Sequence, residues 1–332
     1  MPVVYVKEQG AVIRKANEVL YVMQKDKQLF AIPLADLDQL VLLGNIQLTT
    51  QSAVVLMRHR VDVIFMSQYG KYRGRLLTLE SKFAKLRHQQ LRLCDDEPRS
   101  LQVARNIVIG KIANQRVVLQ RRAGENVALR QALIGMARMA DQADSAGDLD
   151  QLRGYEGKAA AFYFGGLRSF FAPEWGFHER AYFPPPDPAN ALLSFTYTLL
   201  LKDVEAKIQL VGLDPYLGFF HALGYDRPGL ALDIMEEFRP SIADIVVMNL
   251  VRTGQITPAD FERTNLAELP VRMTQAAMEN VVAAYEDRMA DKVFHPLANG
   301  QTDYRRAIEL QVRQMANVIQ GDGSAYEALT IR

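Results

Sequence analysis

Along the first eighty residues, short runs rich in Val, Ile, Leu and Tyr alternate with turn-forming residues. Runs at 3–6, 11–15, 19–24, 28–32, 39–43, 61–66 and 73–79 have the length of strands, and their spacing predicts a small β-sandwich. Residues 50–60 break the pattern. Ala53, Val54, Leu56 and Met57 fall at helical spacing behind Thr49 or Thr50, either of which can cap, so one short helix is expected there. From Ser81 onward the apolar period lengthens to that of a helix. Helices are expected at 82–93, 99–121, 123–144, 148–171 and 190–211, the last mostly apolar and therefore buried. Asp95-Asp96-Glu97-Pro98 interrupts the first two, with Pro98 suited to a first helical turn and the three acids near its positive end. Pro184-Pro185-Pro186-Asp187-Pro188 is a stiff connector. Shorter helices are expected at 215–222, 229–238, 241–253, 257–264, 270–293 and 304–320. The fold class is α+β: an N-terminal β-sandwich domain at 1–80, a linker at 81–97, and a larger all-α domain at 98–332.

The chain has 332 residues, enough for about two domains. Hydrophobic residues are 49% and charged residues 23%, which excludes wholesale disorder. No apolar run reaches the roughly 18 residues that would span a bilayer, and the N-terminus has none of the three parts of a secretory leader. The single cysteine, Cys94, excludes an internal disulfide and a multi-cysteine metal site. A reducing, cytoplasmic setting is expected, without a membrane partner. The net charge of +1 hides an uneven distribution. Residues 68–138 carry fifteen Lys and Arg against five acids, whereas 139–332 carry seventeen against twenty-seven. A basic middle beside an acidic remainder points either to a polyanion on one surface and a cation site elsewhere, or to ordinary solvated helix faces.

Three stretches carry candidate chemistry. In Gly154-Tyr155-Glu156-Gly157-Lys158-Ala159-Ala160, two glycines flank a carboxylate inside a helix, at about 1 kcal/mol each relative to Ala. Glu156 shares a largely apolar face with Ala160 and Tyr163, so it needs a partner charge or a metal. Arg153, one turn earlier, is the ordinary partner. In Gly212-Leu213-Asp214-Pro215, Asp and Pro mark a helix start. His221 then falls about two turns later, where a satisfied core histidine is the commoner outcome. In Leu230-Ala231-Leu232-Asp233-Ile234-Met235-Glu236, Asp233 and Glu236 share one helical edge and repel unless a cation intervenes. Arg227 and Arg239 are the ordinary neutralisers. Taken together, Glu156, His221, Asp233 and Glu236 are an oxygen and nitrogen set without sulfur, which suits Mn²⁺ or Mg²⁺. There is no His-Glu-x-x-His, Walker loop or Gly-x-Ser-x-Gly, so metal-assisted phosphoryl chemistry is the enzymatic reading.

At these residues the chain resembles the CRISPR-associated adaptation integrases, the larger of the two proteins that insert new spacers. The likeness covers nearly the whole chain. It rests on the Glu156 stretch, on Pro185-Pro186-Asp187-Pro188-Ala189-Asn190-Ala191-Leu192-Leu193-Ser194-Phe195, on Gly212-Leu213-Asp214-Pro215 ending in His221, and on residues 230–240. Residues 254–261 and 304–320 are similar too. The resemblance implies a homodimer through the β domains, with two such dimers clamping a dimer of a small companion adaptation protein. It implies Glu156, His221 and Glu236 as ligands of Mg²⁺ or Mn²⁺, with Asp233 as a further catalytic acid. It also implies the reaction, a transesterification in which the 3′-hydroxyl of a captured double-stranded DNA fragment attacks the edge of a CRISPR repeat, with nicking when water attacks instead.

The DNA is expected along the basic span. Arg73, Arg75, Lys82, Lys85, Arg87, Arg105 and Lys111 are its phosphate contacts, and Tyr69 and Tyr72 are candidates for stacking on an unpaired base. Two other classes compete: a non-catalytic DNA-binding scaffold, and a metal-dependent nucleotide phosphohydrolase. Cleavage of branched DNA separates the first from an integrase, and activity on free nucleotides separates the second.

Overall fold

The computed structural model describes residues 3–35, 37–68, 72–76, 83–124, 126–182, 184–221, 224, 227–323 and 325–331. Contacts divide the chain into two compact units, Met1–Ser81 with Thr274–Met278, and Lys82–Met273 with Glu279–Arg332.

The first unit contains β1 (Val3–Val6), β2 (Val12–Ala16), β3 (Val19–Gln24), β4 (Lys27–Pro33), β5 (Gln39–Leu43), β6 (Gln47–Leu48), α1 (Thr50–Arg58), β7 (Asp62–Met66) and β8 (Tyr72–Leu76). These strands form two four-stranded sheets, ordered β1-β5-β7-β8 and β4-β3-β2-β6. β5 runs parallel to both β1 and β7, and all five of its residues are buried. An uninterrupted apolar run is what a parallel central strand requires. Ile13, Leu20 and Val22 of one sheet join Val6, Leu40, Leu42 and Val63 of the other in one core, to which α1 adds Val55 and Leu56. This is the expected sandwich. Lys25 and Asp26, at φ 47° and 63°, supply the left-handed pair that a two-residue hairpin demands between β3 and β4. Thr49 caps α1 by accepting the Ser52 N–H, and the Ser52 hydroxyl donates to the Ile13 carbonyl, which ties the helix to β2. Arg75, assigned above to DNA, is a strut inside this unit. Its Nε donates to Asp62 Oδ1 at 3.0 Å, and the other Asp62 oxygen accepts from Gln39 Nε2 at 2.9 Å. The Arg75 side chain is only 5% exposed, so its charge is committed to β7. Arg73 is exposed, whereas Tyr69, Lys71 and Lys82 lie outside the described residues.

The second unit begins with α2 (Ala84–Asp95), then α3 (Glu97–Ala123), α4 (Val127–Asp144), α5 (Leu149–Leu167) and α6 (Pro188–Val211). Each of the last four starts at a side-chain cap, respectively Asp96, Asn126, Asp148 and Asp187. Pro98 and Pro188 sit in the first turns, where no N–H is needed. Then come α7 (Gly229–Phe238), a wide π-type turn over Pro240–Asp244, α8 (Ile245–Arg252), the hairpin β9 (Phe261–Arg263) with β10 (Val271–Met273), α9 (Gln275–Ala290), which belongs to this unit from Glu279 onward, the hairpin β11 (Lys292–His295) with β12 (Gly300–Asp303), and α10 (Tyr304–Gln320).

Three expectations are corrected. The segment 81–97 is not a linker, because its α2 buries Leu86, Gln90 and Leu93 within the helical unit. That unit is not purely helical, since two short hairpins interrupt it. The helix expected at 215–222 is a loop of turns through His221, and Ala222 lies outside the described residues. The reason lies at Gly218. A Cβ there would come within 2.5 Å of the Gly229 carbonyl carbon, so this strand of chain presses against the start of α7 and cannot coil on itself.

Candidate functional site

The 212–221 loop is fastened from both sides. Gly212 ends α6 at φ 98°, a conformation that favours glycine, and a Cβ there would strike the Phe83 ring. From α2, Gln90 Nε2 donates to the carbonyls of Asp214 (2.8 Å) and Leu217 (2.9 Å), while its Oε1 accepts the Asp214 N–H at 2.8 Å. Arg87 Nε donates to the Gly212 carbonyl at 3.1 Å. On the other side, Leu230 N–H of α7 donates to the Pro215 carbonyl at 2.9 Å, which satisfies one of the donors a helix start leaves open.

Asp233, wholly buried on α7, is the latch. Its Oδ2 accepts the N–H of Phe219 (2.6 Å) and of Phe220 (3.0 Å), and its Oδ1 accepts the N–H of His221 (2.9 Å). Oδ1 also lies 2.7 Å from His221 Nδ1. With Nδ1 donating to this carboxylate, the lone pair of the imidazole is on Nε2. Nε2 faces Glu236 Oε1 at 3.7 Å, a gap between two acceptors that invites a cation.

One turn beyond Asp233, Glu236 is 3% exposed in its side chain and meets two positive groups. Lys111 Nζ, from α3, lies 2.7 Å from its Oε2, and Arg239 Nη1 lies 3.0 Å from its Oε1. Burial pushes the Glu236 carboxyl up, but the charges of Arg239 and Lys111 outweigh it and hold the group at about 2. The same Lys111 ammonium lies 2.5 Å from Glu156 Oε1 on α5. Burial works against the charged form of Lys111, yet Glu236 and Glu156 keep it firmly protonated. Thus Glu156 and Glu236, expected from separate stretches, meet at one buried positive charge, and His221 stands beside the second of them. Arg153, the ordinary partner weighed for Glu156, pairs with Asp150 at 2.8 Å instead. Arg239 does neutralise Glu236, as the ordinary reading of that edge held.

A divalent metal fits this donor set in kind, with two carboxylates, a free imidazole nitrogen and no sulfur. A cation already stands between the carboxylates as the Lys111 ammonium. Among the described residues no three His, Cys, Asp or Glu side chains are close enough together to hold an ion as they stand. Asp233 spends its oxygens on the loop and on His221, so it orients the imidazole rather than touching a substrate.

Around Glu156 the surface is open. A Cβ at Gly154 or at Gly157 would meet nothing within 4 Å. The fold therefore does not need these glycines, and Gly157→Ala should raise stability by about 1 kcal/mol through helix propensity alone. Thermal unfolding checks this, and a lower melting temperature would show that the site packs differently.

Of the remaining DNA candidates, Lys85 is exposed and open to a phosphate. Arg87 holds the loop, and Arg105 donates to the Ala146 carbonyl. Lys111 is buried between the glutamates and is not a surface contact. Its signal was present in the sequence: it lies three and four residues from the buried Val108 and Ile107, on the apolar face of α3.

The family model described as CRISPR associated protein Cas1 matches residues 4–287. A CRISPR-associated endonuclease Cas1 of Thermus thermophilus is 35% identical over 333 residues, covering 99% of this chain and 97% of the relative. Among solved structures, a chain of a Cas6-RT-Cas1–Cas2 complex matches with a TM-score of 0.87 at 26% identity. That match covers 100% of this chain, which spans 36% of the larger one. A Cas1 protein from Thermotoga maritima matches with a TM-score of 0.83 at 24% identity, covering 100% of this chain and 99% of the other.

Proposed function

Because the chain belongs to the Cas1 family of CRISPR-associated proteins, we propose that it is a divalent-metal-dependent DNA endonuclease and integrase of spacer acquisition. The observation that supports this reading is that Glu156 and Glu236 meet at the Lys111 ammonium while His221 Nε2 faces the other Glu236 oxygen at 3.7 Å. Glu156, His221 and Glu236 would hold Mg²⁺ or Mn²⁺. When bound, the metal supplies Lewis-acid chemistry, drawing charge from a phosphodiester oxygen. The two glutamates supply negative charge in a largely buried setting, and Asp233 keeps the imidazole in the tautomer with a free Nε2. Gly154 and Gly157 leave the approach to Glu156 clear for a DNA strand. In the reaction, the 3′-hydroxyl of the fragment bonds to the repeat-edge phosphorus, and the strand's original 3′-oxygen leaves with the proton. One phosphodiester replaces another, and water in place of the hydroxyl gives a nick.

The substrates in this proposal are double-stranded DNA with exposed 3′ ends and CRISPR repeat DNA. The assembly is a homodimer through the β-sandwich units, with two homodimers bridged by a dimer of the companion protein. The Cas1–Cas2 complex among the similar structures supports that partner. A cytoplasmic setting accords with Cys94, whose thiol burial and the carboxylates of Asp233, Asp95 and Asp214 push up to about 12, leaving it inert. No helix among the described residues is long and apolar enough to cross a membrane. The test is joining of a fragment to a supercoiled repeat plasmid, with the companion protein, in Mn²⁺ and in EDTA. Joining in Mn²⁺ alone is expected. DNA binding without joining would favour a scaffold, and turnover of free nucleotides would favour a phosphohydrolase.

A further inference from the structure

Lysine is almost never fully buried unless it is paired. Lys111 is 5% exposed, and both of its partners are carboxylates that the proposed function assigns to a metal. In the metal-free protein three carboxylates stand against two cations, which leaves one negative charge. Glu156 and Glu236 face Lys111 and Arg239, while Asp233 is met by three backbone N–H groups and the imidazole. A divalent ion that joined His221 Nε2 and Glu236 Oε1 to Glu156 Oε1 would take that last oxygen from Lys111 and turn the single negative charge into a positive one. The ammonium and the metal cannot both hold Glu156 Oε1 at contact distance, and a phosphodiester brings the sum to zero.

Resting on the assignment of Glu156, His221 and Glu236 as ligands, we propose that Lys111 is the resident counter-ion of the metal-free site. It competes with the divalent metal for Glu156 and Glu236, and moves to the substrate phosphate when metal and DNA bind together. Metal alone therefore binds weakly, DNA strengthens it, and by linkage metal strengthens DNA binding by the same factor. The carboxylates stay gathered without metal, and the ion is retained only when a strand is in place.

The experiment is calorimetric titration of the full chain with Mn²⁺, without DNA, for wild type, Lys111→Met and Glu156→Gln. Lys111→Met should bind Mn²⁺ about tenfold more tightly or better, since a competing charge is gone. It should also melt lower than wild type in EDTA and gain more from added Mn²⁺. A lysine that merely braced the ligands would do the opposite, its loss weakening metal by about 10–100-fold as losses of supporting groups do. Equal or weaker Mn²⁺ binding by Lys111→Met overturns the proposal. If Glu156→Gln has meanwhile lost Mn²⁺, the ligand assignment survives that failure. Mn²⁺ binding that ignores Glu156→Gln overturns the ligand assignment instead, and the competition with it. Should Lys111→Met not fold, acylation of wild-type lysines read by mass spectrometry decides. Lys111 should be protected in EDTA and become reactive in saturating Mn²⁺, and unchanged protection overturns the proposal.

Discussion

Glu156→Gln should reduce DNA nicking and joining by on the order of a thousandfold, in line with losing a group that stabilises transition-state charge. It should leave the melting temperature within a few degrees of wild type. The amide keeps the shape of the side chain and removes only its charge. Glu156 is the right member of the set for this test because its side chain is 18% exposed and its cationic partner Lys111 keeps Glu236. Glu236→Gln is a poorer probe. It would take the paired carboxylate from the buried Arg239 and halve the pairing of Lys111, at a cost of about 3–5 kcal/mol, and confuse loss of chemistry with loss of fold. Joining assays beside thermal unfolding read both quantities. Retained joining in Glu156→Gln, with a normal melting temperature, would remove Glu156 from the ligand set.

Asp233→Asn should cost both stability and metal. The carboxylate accepts three backbone N–H groups and faces His221 Nδ1. An amide turns one acceptor oxygen into a donor, which then confronts N–H groups in a fully buried place. At about 1–3 kcal/mol for each donor left unmet, the loss should be about 2–5 kcal/mol in urea unfolding. Freed from its orienting partner, the imidazole should also hold metal about 10–100-fold less well. If Asp233→Asn is as stable as wild type and binds Mn²⁺ equally, the 218–221 segment is held by something other than this latch.

How much of this was legible beforehand differs element by element. The strands of the sandwich announce themselves because each is an apolar run of strand length, and β5 is apolar on both faces. β6 has two residues and the hairpins β9–β10 and β11–β12 have strands of three or four, too short for any periodicity to register. The Asp214-Pro215 pair has the chemistry of a helix start, yet tertiary contact overrides it. Pro215 and Gly218 are pressed onto α7, and Gln90 takes the backbone groups that a helix would have paired internally. Glu156, His221 and Glu236 were readable as unusual polar residues on apolar faces. What brings the two glutamates together, the Lys111 ammonium, counts along the sequence as one more positive charge in a basic stretch. Charge counting along a sequence does not distinguish a lysine facing solvent from one facing the core. The buried neighbours at three and four residues do, as Ile107 and Val108 show. Arg75 went astray for the same reason, its partner Asp62 lying on an adjacent strand thirteen residues away.

The most direct measurement is anomalous diffraction from crystals of the chain grown with Mn²⁺ and a DNA fragment carrying a free 3′ end. One manganese peak bonded to Glu156, Glu236 and His221 Nε2, with Lys111 drawn off the carboxylates toward a phosphate, is the expected result. A peak elsewhere, or none with Lys111 still seated between the two glutamates, would contradict it.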